Sequence, residues 1–208
     1  MPRPSSEIQD QFGEIDIYLF DQLLKGRFDG CVRVLDAGCG GGRNLVYFLR
    51  SGFDVFACDR DAAAVDAVRA LAGRLAPRLP PDHFQVAEID ALPWPDGEMD
   101  AVLASAVLHF ARDEAHFERM LSDMWRVLRP GGIFFARLAS DIGLEAPIEW
   151  RQGRRGRLPD GSERFIASEA MLLRATRELD AELLDPLKTT NVQNQRAMTT
   201  WCLRKTGA

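Results

Sequence analysis

Apolar residues recur along this chain with two periods. Ile8, Phe12, Ile15, Leu19 and Leu23 fall at helical spacing and predict one amphipathic cap helix within residues 1–30. The Pro- and Ser-rich start, Met1 to Ser6, is expected to fray. Val32, Val34 and Leu35 form a short apolar strand that ends at Asp36 and breaks into glycines; Val46, Phe48 and Leu49 then resume a helical face. Asp54–Asp59 is a second strand ending in an acid. Val65, Val68, Leu71 and Leu75 mark a helix that stops before Pro77. After a Pro-rich connector, Phe84, Val86 and Ile89 alternate with polar residues as a strand does. Met99 to Leu108 is almost wholly apolar and suits a central parallel strand covered on both faces. Asp113 is placed to cap a long helix with Phe117, Met120, Leu121, Met124, Val127 and Leu128 on one face, and Pro130-Gly131-Gly132 is expected to end it ahead of a strand over Ile133 to Leu138. Ser168 is placed to cap a helix carrying Leu172, Ala175 and Leu179. Leu183 to Val192 and Met198 to Leu203 read as a final antiparallel pair. The alternation predicts an α/β fold.

Length and charge narrow the function classes. The chain has 208 residues, 46% hydrophobic and 27% charged, with net charge −5, which fits one domain over 1–208 and makes wholesale nucleic-acid or anionic-membrane binding a poor default. Cys31, Cys39, Cys58 and Cys202 have neither metal-type nor disulfide-type spacing, which favours free thiols in a reducing, cytoplasmic setting. No signal peptide and no bilayer-spanning run is read from the sequence.

The candidate chemistry centres on Asp36-Ala37-Gly38-Cys39-Gly40-Gly41-Gly42-Arg43-Asn44. Glycine lets a ligand approach backbone closely, and amides at the start of the next helix suit an anionic or polar group. The dinucleotide fingerprint G-x-G-x-x-G would need a glycine where Arg43 stands. Asp59, about 20 residues past the first glycine, is at the strand end where a carboxylate accepts from ribose hydroxyls, and both nucleotide readings need it.

Three ordered segments carry a resemblance. The first is Asp36 to Gly42. The second is Glu88-Ile89-Asp90-Ala91-Leu92-Pro93-Trp94-Pro95-Asp96-Gly97-Glu98-Met99-Asp100-Ala101-Val102. The third is Trp125-Arg126-Val127-Leu128-Arg129-Pro130-Gly131-Gly132. Together they resemble the class I S-adenosylmethionine-dependent methyltransferases, among them small cytoplasmic enzymes such as the tellurite-resistance and ubiquinone-pathway methyltransferases. Gly42-Arg43-Asn44 is similar to the tellurite-resistance type. The resemblance implies a Rossmann-like, mostly parallel seven-stranded sheet with a C-terminal antiparallel hairpin and helices on both faces. It implies S-adenosylmethionine as cofactor, S-adenosylhomocysteine as product, and no metal. Asp36, Gly38, Gly40, Gly42 and Asn44 then fall at the methionine end and Asp59 at the ribose. Arg60 packs on adenine, Glu88 meets its amino group (Asp90 being the alternative) and Ile89 lies on its ring. Ser105, Val107 and His109 fall near the reacting methyl. His109 is the candidate base, or else a packed residue. Residues 140–165 form a candidate substrate lid whose Arg151 and Arg154 meet an anionic acceptor, or else a solvated arginine loop. The expected partner is a small-molecule acceptor, with no nucleic acid and no membrane, for a monomer or homodimer. Two rivals stay open: a nucleotide-dependent oxidoreductase and a non-catalytic S-adenosylmethionine-binding module.

Overall fold

The computed structural model describes residues 5–207. The frayed start predicted for the first residues lies outside the described residues as far as position 4, and helix α1 (Ser5–Phe12) begins directly after it.

The sheet is built around β1 (Arg33–Ala37), four of whose five residues are buried. It pairs in parallel with β2 (Asp54–Asp59) on one side and with β4 (Met99–Ser105) on the other. β3 (Phe84–Val86) extends the sheet beyond β2 and β5 (Leu128–Ser140) beyond β4, both in parallel. The far side is antiparallel: β11 (Arg196–Lys205) lies on β5, with β10 (Lys188–Val192) and the short β9 (Ala181–Leu183) against it. The order β10-β11-β5-β4-β1-β2-β3 is the expected seven-stranded, mostly parallel sheet with its terminal hairpin.

Successive strand residues feed two cores, as the pleat requires. Leu35, Phe56 and Val102 join one with α5 (Glu114–Val127) and α6 (Glu169–Glu178). Val34, Val55 and Leu103 join the other with α2 (Ile17–Leu24), α3 (Val46–Arg50) and α4 (Ala62–Leu75). Parallel strands buried on both faces explain why β1 and β4 read as continuous apolar runs. The helix starts follow local chemistry: Asp61, Asp113 and Ser168 each accept a backbone N–H in the first turn. No helix among the described residues is long and apolar enough to cross a membrane.

The structure corrects three expectations. The single cap helix is two, α1 and α2. Gly13 breaks it at φ +63°, where a Cβ would fall 2.7 Å from Val46 Cγ2, and Asp16 caps α2 by accepting from the Tyr18 amide at 2.9 Å. Residues 140–165 are not an irregular loop. They carry a second small sheet of β6 (Glu149–Trp150), β7 (Arg155–Arg157) and β8 (Glu163–Phe165). Finally, Pro130-Gly131-Gly132 does not end the helix; α5 stops at Val127, and the three residues lie inside β5. There the register jumps from Met99↔Leu128 to Ala101↔Ile133, so four residues of β5 stand opposite one of β4.

Gly132 makes that bulge sterically feasible. A Cβ on it would lie 2.6 Å from Leu128 Cδ1, 2.8 Å from the Arg129 carbonyl oxygen and 2.9 Å from the Asp100 carbonyl oxygen. Two of these are backbone and have little room to give. Gly132→Ala is expected to destabilise the protein by about 2 kcal/mol or more, read by urea denaturation.

Candidate functional site

Ligands of open α/β sheets bind outside the carboxyl ends of the strands. At that edge the ends of β1, β2 and β4 and the segment after β3 surround a cavity of about 780 Å³. The glycine turn is its floor. The Gly38 and Cys39 amides both donate to the Cys58 carbonyl, at 2.8 and 2.9 Å, which binds the turn to the end of β2. Gly38 sits at φ +83°, and a Cβ on it would fall 2.5 Å from Val107 Cγ2. Gly40 and Gly41 face open space instead: a Cβ on either would meet nothing within 4 Å. The Gly40 amide donates to Asp59 Oδ2 at 3.0 Å, and Asp59 Oδ1 accepts from the Asp61 amide at 3.0 Å. Gly42 packs against Val68 and Leu71 of α4, which is a packing role.

Of the residues expected at the cofactor, Gly38, Gly40, Asn44, Asp59, Arg60, Glu88, Ile89 and Ser105 line this cavity, whereas Asp36 and Gly42 are not part of its wall. Ile89 is buried and presents an apolar wall, while Glu88 is exposed beside it. Asp90 is engaged elsewhere, 3.5 Å from His116 Nε2 and 3.6 Å from Arg119 Nε. Asn44 turns its Oδ1 to the Asp16 amide at 3.0 Å. Asp36 is 1% exposed and its Oδ2 has no hydrogen-bond partner. Burial pushes its carboxyl up to about 7, opposed by Arg43 and reinforced by Asp59. Cys39, on the wall, is held as a neutral thiol by the same burial.

Sequence reasoning missed His116, Met120, Phe110, Arg43 and Glu14, all of which line the cavity. His116 and Met120 are one helical turn apart on α5, so the i, i+4 stripe that predicted the helix was the available signal. His116 Nδ1 accepts the Arg112 amide hydrogen at 3.0 Å, so the neutral ring carries its own hydrogen on Nε2, toward Asp90.

The residues proposed for proton transfer and acceptor binding lie elsewhere. His109 is 5% exposed, packed edge-on to Phe110, with Nδ1 unpartnered. Burial, helped by Arg164 and Arg137, pushes its imidazole down to about 3. Phe110, and not His109, lines the cavity. Arg154 is consumed by structure: it donates to the Ile166 carbonyl at 2.9 Å and to Asp141 at 3.0 Å, and lies over the Trp150 ring. Arg151 is exposed and is not part of the wall.

β4 ends at Ser105 because Ala106 takes a left-handed conformation, φ +65°, with its amide on the Arg137 carbonyl at 2.8 Å. Backbone strain of this kind gathers at ligand sites. Among the described residues no group of three His, Cys, Asp or Glu is placed to hold a metal.

A mostly parallel sheet with an open glycine turn after its central strand and acids at neighbouring strand ends is the arrangement of an α/β protein with a ligand cleft at its carboxyl edge. Residues 35–136 match the family described as a methyltransferase domain. This match, just under half of the chain, and the methyltransferase relatives support a class I S-adenosylmethionine-dependent methyltransferase. It is 31% identical over 140 residues to the malonyl-[acyl-carrier protein] O-methyltransferase of Enterobacter lignolyticus, covering 67% of this chain and 51% of that protein. The chain spans about half the length of the curated relatives it matches. Among solved structures it is similar to the [4+2]-cyclase SpnF (TM-score 0.71, 20% identity, 92% of this chain and 81% of that one). It is also similar to the 1,6-didemethyltoxoflavin-N1-methyltransferase of Burkholderia thailandensis, solved with S-adenosylhomocysteine (TM-score 0.68, 20% identity, 98% and 87%). At that identity the two structures speak for the fold alone.

Two predictions follow from this geometry. Ala106→Gly removes the left-handed penalty and is expected to stabilise the protein by about 1 kcal/mol in urea denaturation. The folded chain favours neutral His109, so its contribution is whole above pH 6.5 and is lost as pH falls toward about 3. Between pH 6.5 and 5 the wild type should therefore lose about 2 kcal/mol more stability than His109→Gln.

Proposed function

We propose that this protein transfers the methyl group of S-adenosylmethionine to a small-molecule acceptor. The observation that carries the reading is one cavity gathering an open glycine turn, Asp59 and the Glu88–Ile89 pair, with the unpartnered buried carboxylate of Asp36 next to the turn. Each feature matches a part of that cofactor. Asp36 is an acceptor without a donor, suited to an ammonium. Gly40 and Gly41 leave backbone space for a carboxylate. Asp59 keeps lone pairs for a ribose diol. Glu88 accepts from an adenine amino group while Ile89 covers the ring, and exposed Arg60 packs on its outer face. The family match and the S-adenosylhomocysteine held by the didemethyltoxoflavin enzyme support the same assignment.

When bound, the cofactor supplies a methyl group already activated by its sulfonium. The protein is left with alignment and with keeping water out. Val107, Phe110 and Met120 make apolar wall around the opening between Gly38 and Ser105. Asp59, fixed through both oxygens by the Gly40 and Asp61 amides, sets where a bound nucleoside would stand. We assign no proton transfer to His109, whose imidazole stays neutral at working pH. The free cysteines suit a reducing, cytoplasmic setting.

Calorimetric titration tests the reading: S-adenosylhomocysteine is expected to bind and NAD(H) not to. Preference for NAD(H) would instead make the protein a nucleotide-dependent oxidoreductase. Release of S-adenosylhomocysteine with metabolite extracts separates an enzyme from a binding module. Asp36 adds a pH signature. Its folded value of about 7 lies above the ordinary carboxylate value, so the charge that meets the ammonium is lost below neutrality. Affinity should fall by up to about tenfold per pH unit from 7 to 5. Asp36→Asn should bind weakly at every pH. Without ligand it should be more stable than wild type above pH 7, by a few kcal/mol at the order-of-magnitude level, with the advantage shrinking toward pH 4.

A further inference from the structure

On its other side the cavity is lined by Glu14, Arg43, Asn44 and Ser105, and the start of α2 and the end of β5 stand behind these residues. Asp16, 5% exposed, stands there. Its Oδ2 receives Ser105 Oγ at 3.3 Å and Arg137 Nη1 at 3.3 Å, with Arg43 Nη2 at 3.5 Å. Arg43 Nη2 also donates to Ser105 Oγ at 3.0 Å. Two guanidinium groups thus share the Asp16 carboxylate, and Arg43 also acts on the buried Asp36. Arg137 lies over the Tyr18 ring at 4.9 Å, and its Nε is buried without an acceptor. Arg43 and Ser105 line the cavity, and the Arg43 side chain is 44% exposed. A third cation, Arg164, lies 5.2 Å over Phe110 on the rim and forms no ion pair among the described residues.

A latch that merely held α2 against the sheet would need one guanidinium. The second, on Arg43, is 44% exposed and opens onto the cavity, where an anion can join it. The fork of an arginine matches a planar carboxylate, and the Ser105 hydroxyl, bonded to Arg43 and to Asp16, stands beside it on the cavity wall. We propose that this wall is an anion seat, and that the methyl acceptor is a carboxylate-bearing small molecule anchored on Arg43, Arg137 and Ser105. The word acceptor rests on the methyl-transfer reading; the anion seat does not. Asp16 competes with the incoming carboxylate for the same donors and so sets its affinity.

The test uses phenylacetate and its uncharged isostere phenylacetamide, titrated by ligand-observed NMR into the full chain saturated with S-adenosylhomocysteine. Phenylacetate is expected to bind at least tenfold tighter than the amide. Arg137→Met should erase that preference while leaving S-adenosylhomocysteine affinity unchanged. Asp16→Asn keeps the helix cap, since Asn caps as well as Asp; it should tighten phenylacetate several-fold, a gain that misfolding would not produce. Equal binding of acid and amide, binding of neither, or weaker acid binding by Asp16→Asn overturns the proposal. Failure of S-adenosylhomocysteine to bind overturns the cofactor reading alone, and the same comparison is then read on the free protein.

Discussion

One close approach governs the site: the turn after β1 passes against the residue that follows the bend after β4. Gly38 has no side chain, and Val107 occupies the place where one would be. The parallel pairing of β1 and β4 brings the two ends to the same edge, and the left-handed Ala106 swings the chain sideways just beyond it. The floor of the cavity, its Phe110 rim and the burial of His109 are consequences of that one turn. A residue that looked placed for proton transfer in a linear reading is rotated into the interior by it.

Two carboxylates are buried near the cavity without lining it, and they are compensated in opposite ways. Asp36 has an orphan oxygen and is driven toward its neutral form; Asp16 has two arginines, a serine and the α2 amide. A protein optimised for stability alone would tend to avoid both arrangements, because buried polar groups ordinarily find matched partners. On the readings proposed above, each imbalance is the complement of a charge that a ligand would bring: positive beside the glycine turn, negative beside α2. The net charge of −5 conveys neither, since the field that matters is set by groups a few ångströms apart.

Sequence was informative wherever the cause is local. The apolar period and the helix caps at Asp113 and Ser168 follow from a few adjacent residues, and the structure places them as read; the glycine turn, Asp59 and the Glu88–Ile89 pair are equally local signals, and they meet in one cavity. It misled where tertiary packing overrides a local signal. Pro130-Gly131-Gly132 looks like a helix stop by propensity, yet it is the pairing with β4 that makes it a bulge. Gly13 breaks a well-formed apolar stripe because Val46 stands against it. Arg154 drew attention through the local density of arginines, whereas Arg137 sat unnoticed within an apolar strand. Only the register Ser105↔Arg137 reveals that this one, and not its crowded counterparts, faces Asp16.

That contrast bears on why family resemblance is rich about one end of the cavity and poor about the other. The match to a methyltransferase domain covers residues 35–136. It takes in the glycine turn, Asp59, Glu88 and the end of β4, which together make the end proposed for the nucleoside. Asp16 lies before it, and Arg137, Arg164 and the small β6-β7-β8 sheet lie after it. A methyl donor of constant shape imposes the same local geometry on every member, so its residues stay legible as motifs. The proposed acceptor seat straddles that boundary: Arg43 and Ser105 lie inside the matched core, whereas Asp16 and Arg137 come from outside it, where no shared spacing is expected. For that half of the site the charges themselves, two guanidinium groups against one carboxylate, are the readable signal.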